Sequence, residues 1–268
     1  MHPILINIGG LYIHSYGVML AIGFMVGISL SVRESRRVGM DPEKILNLSF
    51  YVLFAAIAGS RLFHCIVYYD QYLEDPLRVL KLWEGGLVFY GGFLGAALVS
   101  IFYTRAIKTN YWEMADIVAP GLAVGLACGR IGCFLAGCCF GAECGPDFPF
   151  AITFTNPLGL GIKDTPLYPT QLMSAANAIL LFLILWALRK KKTFHGMLFG
   201  VFLFYYAITR SLIELLRADP RGFVDLGPLH ISESQLVSVA MFVIALYLFT
   251  WNRNRNPVEG AAIPPQSS

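Results

Sequence analysis

The chain has 268 residues, of which 56% are hydrophobic and 14% charged, and its mean hydropathy is +0.62. A soluble domain carries about 25% charged residues, so the composition excludes a soluble enzyme or binding module and implies a polytopic membrane protein. The net charge of +3 comes with no basic stripe of the kind that binds nucleic acid.

Residues 1–12 read as a short outer segment. The first apolar segment opens with IHSYG, lacks a basic n-region and is followed by no A-x-A site, so it reads as a span rather than a cleaved signal. A span needs ~20 apolar residues. Seven are predicted, at about 13–32, 46–69, 86–104, 114–135, 173–188, 196–216 and 233–251. The fifth is short and is expected either to begin earlier, near Tyr168, or to tilt little. Outer loops are predicted at about 70–85, 136–172 and 217–232, and FAITFT within the second alternates enough for a short strand. Residues 252–268 lack periodicity and end in Pro-Pro-Gln-Ser-Ser, which predicts a disordered tail. The expected fold is therefore all-α: one domain over 1–251, with seven transmembrane helices and a small cap formed by the outer loops.

Twelve of the 20 Lys and Arg residues fall in the connections after spans 1, 3 and 5 and in the tail, and five in the opposite loops. The positive-inside rule then puts the N-terminus outside and the C-terminus in the cytoplasm.

The three remaining basic residues, Arg61, Arg130 and Arg210, interrupt apolar runs in IAGSRLFHC, LACGRIGCF and YYAITRSLIELL. Each costs about 2.5–3.5 kcal/mol to insert and is expected to face an interior cavity and pair with an anion. A phosphate or lipid headgroup suits three such cations. In span 6, Tyr206, Arg210, Glu214 and Arg217 share one helix face, and Arg210 and Glu214 are spaced to pair. Arg210 then serves a substrate only through donors left over from that pair. Span 1 offers His14 and Tyr16.

Glycine recurs in span 4 at Gly121, Gly125, Gly129 and Gly132. Close helix packing accounts for the first two, whereas Gly129 and Gly132 flank Arg130 and are candidates to leave room for a ligand. In span 3, Gly85, Gly86, Gly91, Gly92 and Gly95 surround Tyr90, which calls for close packing or a lipid groove. Six cysteines occur, four of them in CFLAGCCFGAEC. The spacing C-x4-C-C-x4-C has no C-x-x-C and no nearby His, so a zinc reading is weak and no metal is expected. A disulfide of Cys138 or Cys139 with Cys144, free apolar thiols, and a cysteine nucleophile all stay open.

GRIGCFLAGCCFG at 129–141 resembles the signature of the bacterial prolipoprotein diacylglyceryl transferases, usually G-R-I-G-N-F-x-N-G-E-x-x-G. The resemblance runs through IHSYG at 13–17, GSRL at 59–62, GGLVFYGG at 85–92, YPTQL at 168–172, YYAITRSLIELLR at 205–217 and ISESQ at 231–235. It implies transfer of diacylglyceryl from phosphatidylglycerol to the thiol of the lipobox cysteine in a prolipoprotein signal peptide, giving a thioether and glycerol 1-phosphate. The reaction is expected at the outer, periplasmic face of the inner membrane, with no cofactor and no nucleic-acid partner.

By the same resemblance, Arg130 and Arg210 are the catalytic cations and Tyr90 and Tyr206 catalytic tyrosines. Arg61, Tyr16, His14, Gly129, Gly132, Gly141, Glu214 and Gln171 are substrate-contact positions. The chain departs from the pattern where Tyr90 replaces a His proposed as base, where Cys133, Ala136 and Cys138 replace Asn, Asn and Glu, and where Tyr168 replaces the His of H-P-S-Q. A non-catalytic lipid- or lipoprotein-binding relative is the alternative. An anion transporter would call for inverted repeats, and none is visible.

Overall fold

A computed structural model describes residues 2–9, 11–81, 85–145, 148–154, 164–217, 223–226, 229–255 and 257–258. The chain is mostly helical. Six helices are long and apolar enough to cross a membrane: Ser15–Arg37, Pro42–Val67, Tyr111–Ala136, Thr170–Lys191, Met197–Glu214 and Ser234–Arg255. The predicted third span folds as a helix, Phe89–Ala106, but is not among those six. Its glycines, two tyrosines and Arg105 dilute it. Large apolar side chains point outward along the helices, with Leu62 and Phe102 each 63% exposed. Lipid rather than water accounts for so much bare hydrocarbon.

Contacts divide the chain into two units, Ser31–Met114 and a second made of Met1–Leu30 with Ala115–Ser268. In the first, α2 (Pro42–Val67) is started by the Asp41 carboxylate, which accepts from Glu43 N at 2.9 Å, and by Pro42 in the first turn. A short α3 (Tyr69–Glu74) and a 3-10 turn over Pro76–Leu80 lead toward α4 (Phe89–Ala106). The glycines of α4 are there for α2. A Cβ on Gly91 would lie 2.3 Å from the Gly59 carbonyl oxygen, one on Gly92 2.3 Å from Ser60 Oγ, and one on Gly95 2.4 Å from the Ala55 carbonyl oxygen. For Gly91, Gly92 and Gly95, close packing is what occurs of the two expectations for this glycine cluster.

The second unit opens with an antiparallel hairpin, β1 (Ile4–Ile8) and β2 (Leu11–His14), which feeds α1 (Ser15–Arg37). Helix α1 lies along the glycine stripe of α5 (Tyr111–Ala136). A Cβ on Gly23 would meet Cys128 Cβ at 2.8 Å, and one on Gly27 would meet the Gly121 carbonyl at 3.1 Å. The strand expected in FAITFT is reduced to β3 (Ile152–Thr153), paired with β4 (Pro166–Leu167). These two strands cover a small core of Phe140, Phe154 and Leu167.

Helix α6 runs Thr170–Leu188, so the short fifth span does begin earlier than 173. After α7 (Met197–Glu214) come the hairpin β5 (Phe223–Leu226)–β6 (Leu229–Ser232) and α8 (Glu233–Tyr247), which continues through a π turn to Asn252. The tail is not unstructured from its start. Arg253–Arg255 is helical, Pro257 bridges Phe194, and Val258 N donates to the Thr193 carbonyl at 3.0 Å. Residues 259–268 lie outside the described residues.

Candidate active site

The site begins with how α5 and α7 are joined. Asp116 of α5 is 1% exposed, and its two carboxylate oxygens accept from Gly196 N at 2.8 Å and Phe199 N at 2.9 Å. Lys192 Nζ lies 3.3 Å away. Gly196 takes a left-handed φ of 95° to turn its N–H toward the carboxylate. An anion here satisfies open N–H groups and the positive end of the helix dipole. It also sets register. From Asp116 to Arg130, and from Gly196 to Arg210, the helical rise is about 21 Å in each case, so the two arginines arrive at the same level.

There they line a small cavity with Leu126 of α5, Ser174, Asn177 and Ala178 of α6, and Tyr206 and Ile213 of α7. Its volume is about 20 Å3, room for about one ordered water. Arg210 is 8% exposed and donates from one terminal nitrogen to Glu214 Oε2 at 2.5 Å. Glu214 also accepts from Ser234 Oγ at 2.6 Å and lies 3.9 Å from Arg217 Nε. Among the described residues, the other Arg210 donors take no partner, and half-buried Arg130 makes neither hydrogen bond nor ion pair. Two guanidiniums therefore share one cavity against a single carboxylate, which a third guanidinium also approaches.

Sequence reasoning missed the wall opposite. Asn177 donates to Thr209 Oγ1 and accepts from Tyr205 OH, both at 2.8 Å, and so ties α6 to α7 beside the arginines. A lone Asn in the run AANAILLFL was the available signal, because an amide in lipid needs partners.

Tyr16, 43% exposed, sits on α1 against Gly132, where a Cβ would come within 3.2 Å of its ring. Gly132 thus takes part in the packing of α1 on α5. Gly129 has nothing within 4 Å of its Cβ position. His14 is exposed at the end of β2, opposite Ile4. Gly141 threads the signature loop between neighbouring backbones: a Cβ would lie 2.6 Å from the Tyr168 carbonyl oxygen and 2.9 Å from that of Leu216. Gln171 is fully buried and donates to the Cys138 carbonyl at 2.9 Å, while its Oε1 has no partner among the described residues.

The six cysteines are all free thiols, so the disulfide to Cys144 does not occur here. Hydrogen bonds with Cys133 and Cys138, and then with Arg217, hold the Cys139 thiol well below its ordinary pKa.

Arg61 and Tyr90 belong to the other unit. Arg61 is 5% exposed and caged by backbone. Its Nε donates to the Val79 carbonyl at 3.0 Å. One terminal nitrogen reaches the Gly85 carbonyl at 2.6 Å and that of Gly86 at 3.1 Å, and the other reaches Arg78 and, at 3.2 Å, Lys81. A guanidinium has five N–H groups, and five carbonyls meet them. Gly85 and Gly86 adopt φ of 82° and 76° to present theirs. Tyr90 stands at the start of α4, 37% exposed, with its ring 6.0 Å from that of Phe89.

Comparison with known proteins agrees with the signature. The family model described as prolipoprotein diacylglyceryl transferase matches residues 3–251. A Clostridium tetani protein named phosphatidylglycerol–prolipoprotein diacylglyceryl transferase is 32% identical over 256 residues, covering 95% of this chain and 99% of that one. Proteins of the same name from Escherichia coli O1:K1 and Citrobacter koseri are each 30% identical over 275 residues, covering 95% of this chain and 94% of their own. The chain belongs to the prolipoprotein diacylglyceryl transferase family.

Proposed function

We propose that this protein transfers the diacylglyceryl group of phosphatidylglycerol to the lipobox cysteine of prolipoproteins. The observation that carries the reading is the pairing of Arg130 and Arg210 on one cavity, with Glu214 their one carboxylate partner among the described residues. An anion entering that cavity relieves the repulsion, and a planar guanidinium fork suits a phosphate. A phosphate is larger than the cavity, so the side chains of Leu126 and Ile213 must yield to admit it.

In the reaction the substrate thiol gives up its proton, which ends on the released phosphate or in solvent water, and its sulfur forms a bond to the diacylglyceryl carbon that carries the phosphate. The C–O bond to phosphate breaks, and glycerol 1-phosphate leaves with the electron pair. Arg130 and Arg210 stabilise the charge that develops on the leaving oxygen. Glu214 fixes Arg210 in place. Tyr206, one turn before Arg210, stands at the same cavity as a hydrogen-bond donor to the headgroup. Tyr90 keeps the catalytic role that the resemblance implies and Tyr16 a substrate contact, while Arg61 shapes the loop that carries Gly85 and Gly86.

The arrangement in the membrane is part of the proposal. The Phe89–Ala106 helix is the seventh span, the N-terminus lies outside and the C-terminus in the cytoplasm. The connections containing β3–β4 and β5–β6 form a periplasmic cap over a site open to the outer leaflet. The domain ends near 251. No cofactor takes part.

The test is turnover by the purified protein in phosphatidylglycerol-containing micelles with a lipobox peptide, following glycerol phosphate release and peptide mass together. Both products are expected in the unmutated protein, and neither in Arg130→Ala. Lipid binding by folded protein without either product would move the assignment to a non-catalytic relative that kept the fold, for which the replacements at Tyr90, Cys133 and Cys138 already give grounds.

A further inference from the structure

Cys133, Cys138 and Cys139 are unused by the proposed chemistry, and the fold gathers them. Their three sulfur atoms all lie within 4.8 Å of one another. Trigonal or tetrahedral coordination with metal–sulfur bonds of ~2.3 Å needs sulfurs about 3.8–4.0 Å apart, so closing the triangle takes less than about an ångström. The backbone that presents them is fastened. Cys133 stands in the last turn of α5, and Cys138 N donates back to its carbonyl at 3.1 Å. Gly137 and Cys139 both turn through the left-handed region, at φ 74° and 62°. That conformation is disfavoured for a residue with a Cβ, and here two buried side chains at the start of α6 hold it. Gln171 donates to the Cys138 carbonyl at 2.9 Å and Thr170 to the Cys139 carbonyl at 3.2 Å.

We propose that Cys133, Cys138 and Cys139 form a three-thiolate site for a soft metal ion, with Cu(I) as the occupant that the donor set fits. Thiolates select Cu(I), zinc and iron–sulfur clusters over hard cations. Zinc asks for a fourth ligand, and among the described residues no other His, Cys, Asp or Glu joins the group. Cu(I) is satisfied by three sulfurs. Charge agrees with this choice. Three thiolates with one monovalent cation leave a net charge of −2, and two guanidiniums are at hand. Arg217 hydrogen-bonds the Cys139 thiol, and Arg130 interacts electrostatically with Cys133 one turn along α5. Free apolar thiols would explain any one of the three, but not their convergence under two cations. The proposal rests on the cysteine geometry rather than on the transferase reading, although Arg130 serves both sites.

The experiment uses full-length protein in detergent, reduced and desalted under anaerobic conditions, then offered Cu(I) from a chromophoric chelator in one arm and Zn(II) in another. About one Cu(I) per chain is expected to transfer, with X-ray absorption reporting three sulfur neighbours. Cys133→Ser, Cys138→Ser and Cys139→Ser should each weaken retention at least tenfold, while Cys65→Ser and Cys144→Ser leave it unchanged. Melting temperature and monodispersity are recorded for every variant. Absorption on the unmutated protein decides the matter even if a variant fails to fold. Fewer than about 0.2 Cu(I) per chain overturns the proposal, as does fewer than three sulfur neighbours, or binding of zinc but not of Cu(I).

Discussion

Two intramembrane arginines of this chain look alike in the sequence and are used in opposite ways. Arg61 is 5% exposed and Arg210 8%, so burial does not tell them apart. What differs is who takes the N–H groups. Arg61 spends all five on backbone carbonyls of residues 78–86, and its charge organises a loop. Arg210 gives one nitrogen to Glu214 and turns the rest of its fork toward a cavity it shares with Arg130. A buried cation in a membrane segment is a functional hypothesis by default. The hydrogen-bond account decides whether that hypothesis survives.

The largest effect expected from this contrast is on turnover. Arg210→Ala should lower kcat at least about 100-fold, the loss seen when one preorganised donor to a developing anion is removed. Arg210→Lys keeps the charge and loses the fork, so it should recover only part of the rate. Steady-state glycerol phosphate release, with melting temperature alongside, reads both. Near-normal kcat in Arg210→Ala would remove it from the chemistry.

Arg61→Lys is the counterpart. An ammonium cannot reach five carbonyls spread over Arg78 to Gly86, so several lose a charge-assisted partner, at a cost of about 2–4 kcal/mol. The protein should melt earlier and be cut sooner by protease within residues 76–88, with turnover falling only as folded protein is lost. An Arg61→Lys protein with unchanged stability and a raised KM would mean that the guanidinium meets the headgroup after all, and the contrast with Arg210 would collapse.

These two arginines also mark how far the sequence can be read. The Arg210–Glu214 pair was legible because helical periodicity puts residues four apart on one face. The helices were legible from apolar runs, with α6 and α4 starting within a few residues of expectation. The Arg61 cage was not legible, since its partners are carbonyls 17 to 25 residues on, and carbonyls have no side-chain identity to read. The thiol cluster was hidden for a related reason. A C-x4-C-C spacing matches no helix or ribbon period, and only the left-handed turn at Gly137 and Cys139 brings the sulfurs together. Asp116 sits in an unremarkable WEMADIV, and its partners are backbone amides of another helix.

Glycines carry the same contrast at smaller scale. Gly91 and Gly129 both lie in glycine-rich stretches, yet a Cβ on Gly91 would strike the Gly59 carbonyl at 2.3 Å and one on Gly129 would meet nothing within 4 Å. Gly91→Ala should force α2 and α4 apart at about 1–3 kcal/mol, visible as a lower melting temperature. Gly129→Ala should leave stability unchanged or slightly raised, since alanine is favoured over glycine in a helix by up to about 1 kcal/mol. If it lowers kcat/KM while stability holds, the open space beside Arg130 is where substrate goes. If it changes neither, Gly129 is not a contact.

The smallest effect tests how firmly the Arg61 cage is closed from outside. Lys81 contributes its carbonyl to Arg61 and its ammonium to Asp75 Oδ2 at 2.9 Å. That hydrogen bond holds the Asp75 carboxyl below its ordinary value. A carboxylate depressed on folding adds stability that is fully present above its unfolded pKa of ~3.9 and is lost as pH falls through the folded value. Both partners are substantially exposed, 36% and 47% at the side chain, so solvent screens the pair and its worth is small. Asp75→Asn should therefore melt slightly below the unmutated protein at pH 6–7, with the two curves converging in acid. In high salt the difference at neutral pH should shrink as well, because screening removes the attraction the mutant lacks. A difference that persists unchanged at 1 M salt and low pH would mean that Asp75 shapes the turn by packing rather than by charge. The cage around Arg61 would then depend on its own five carbonyls alone.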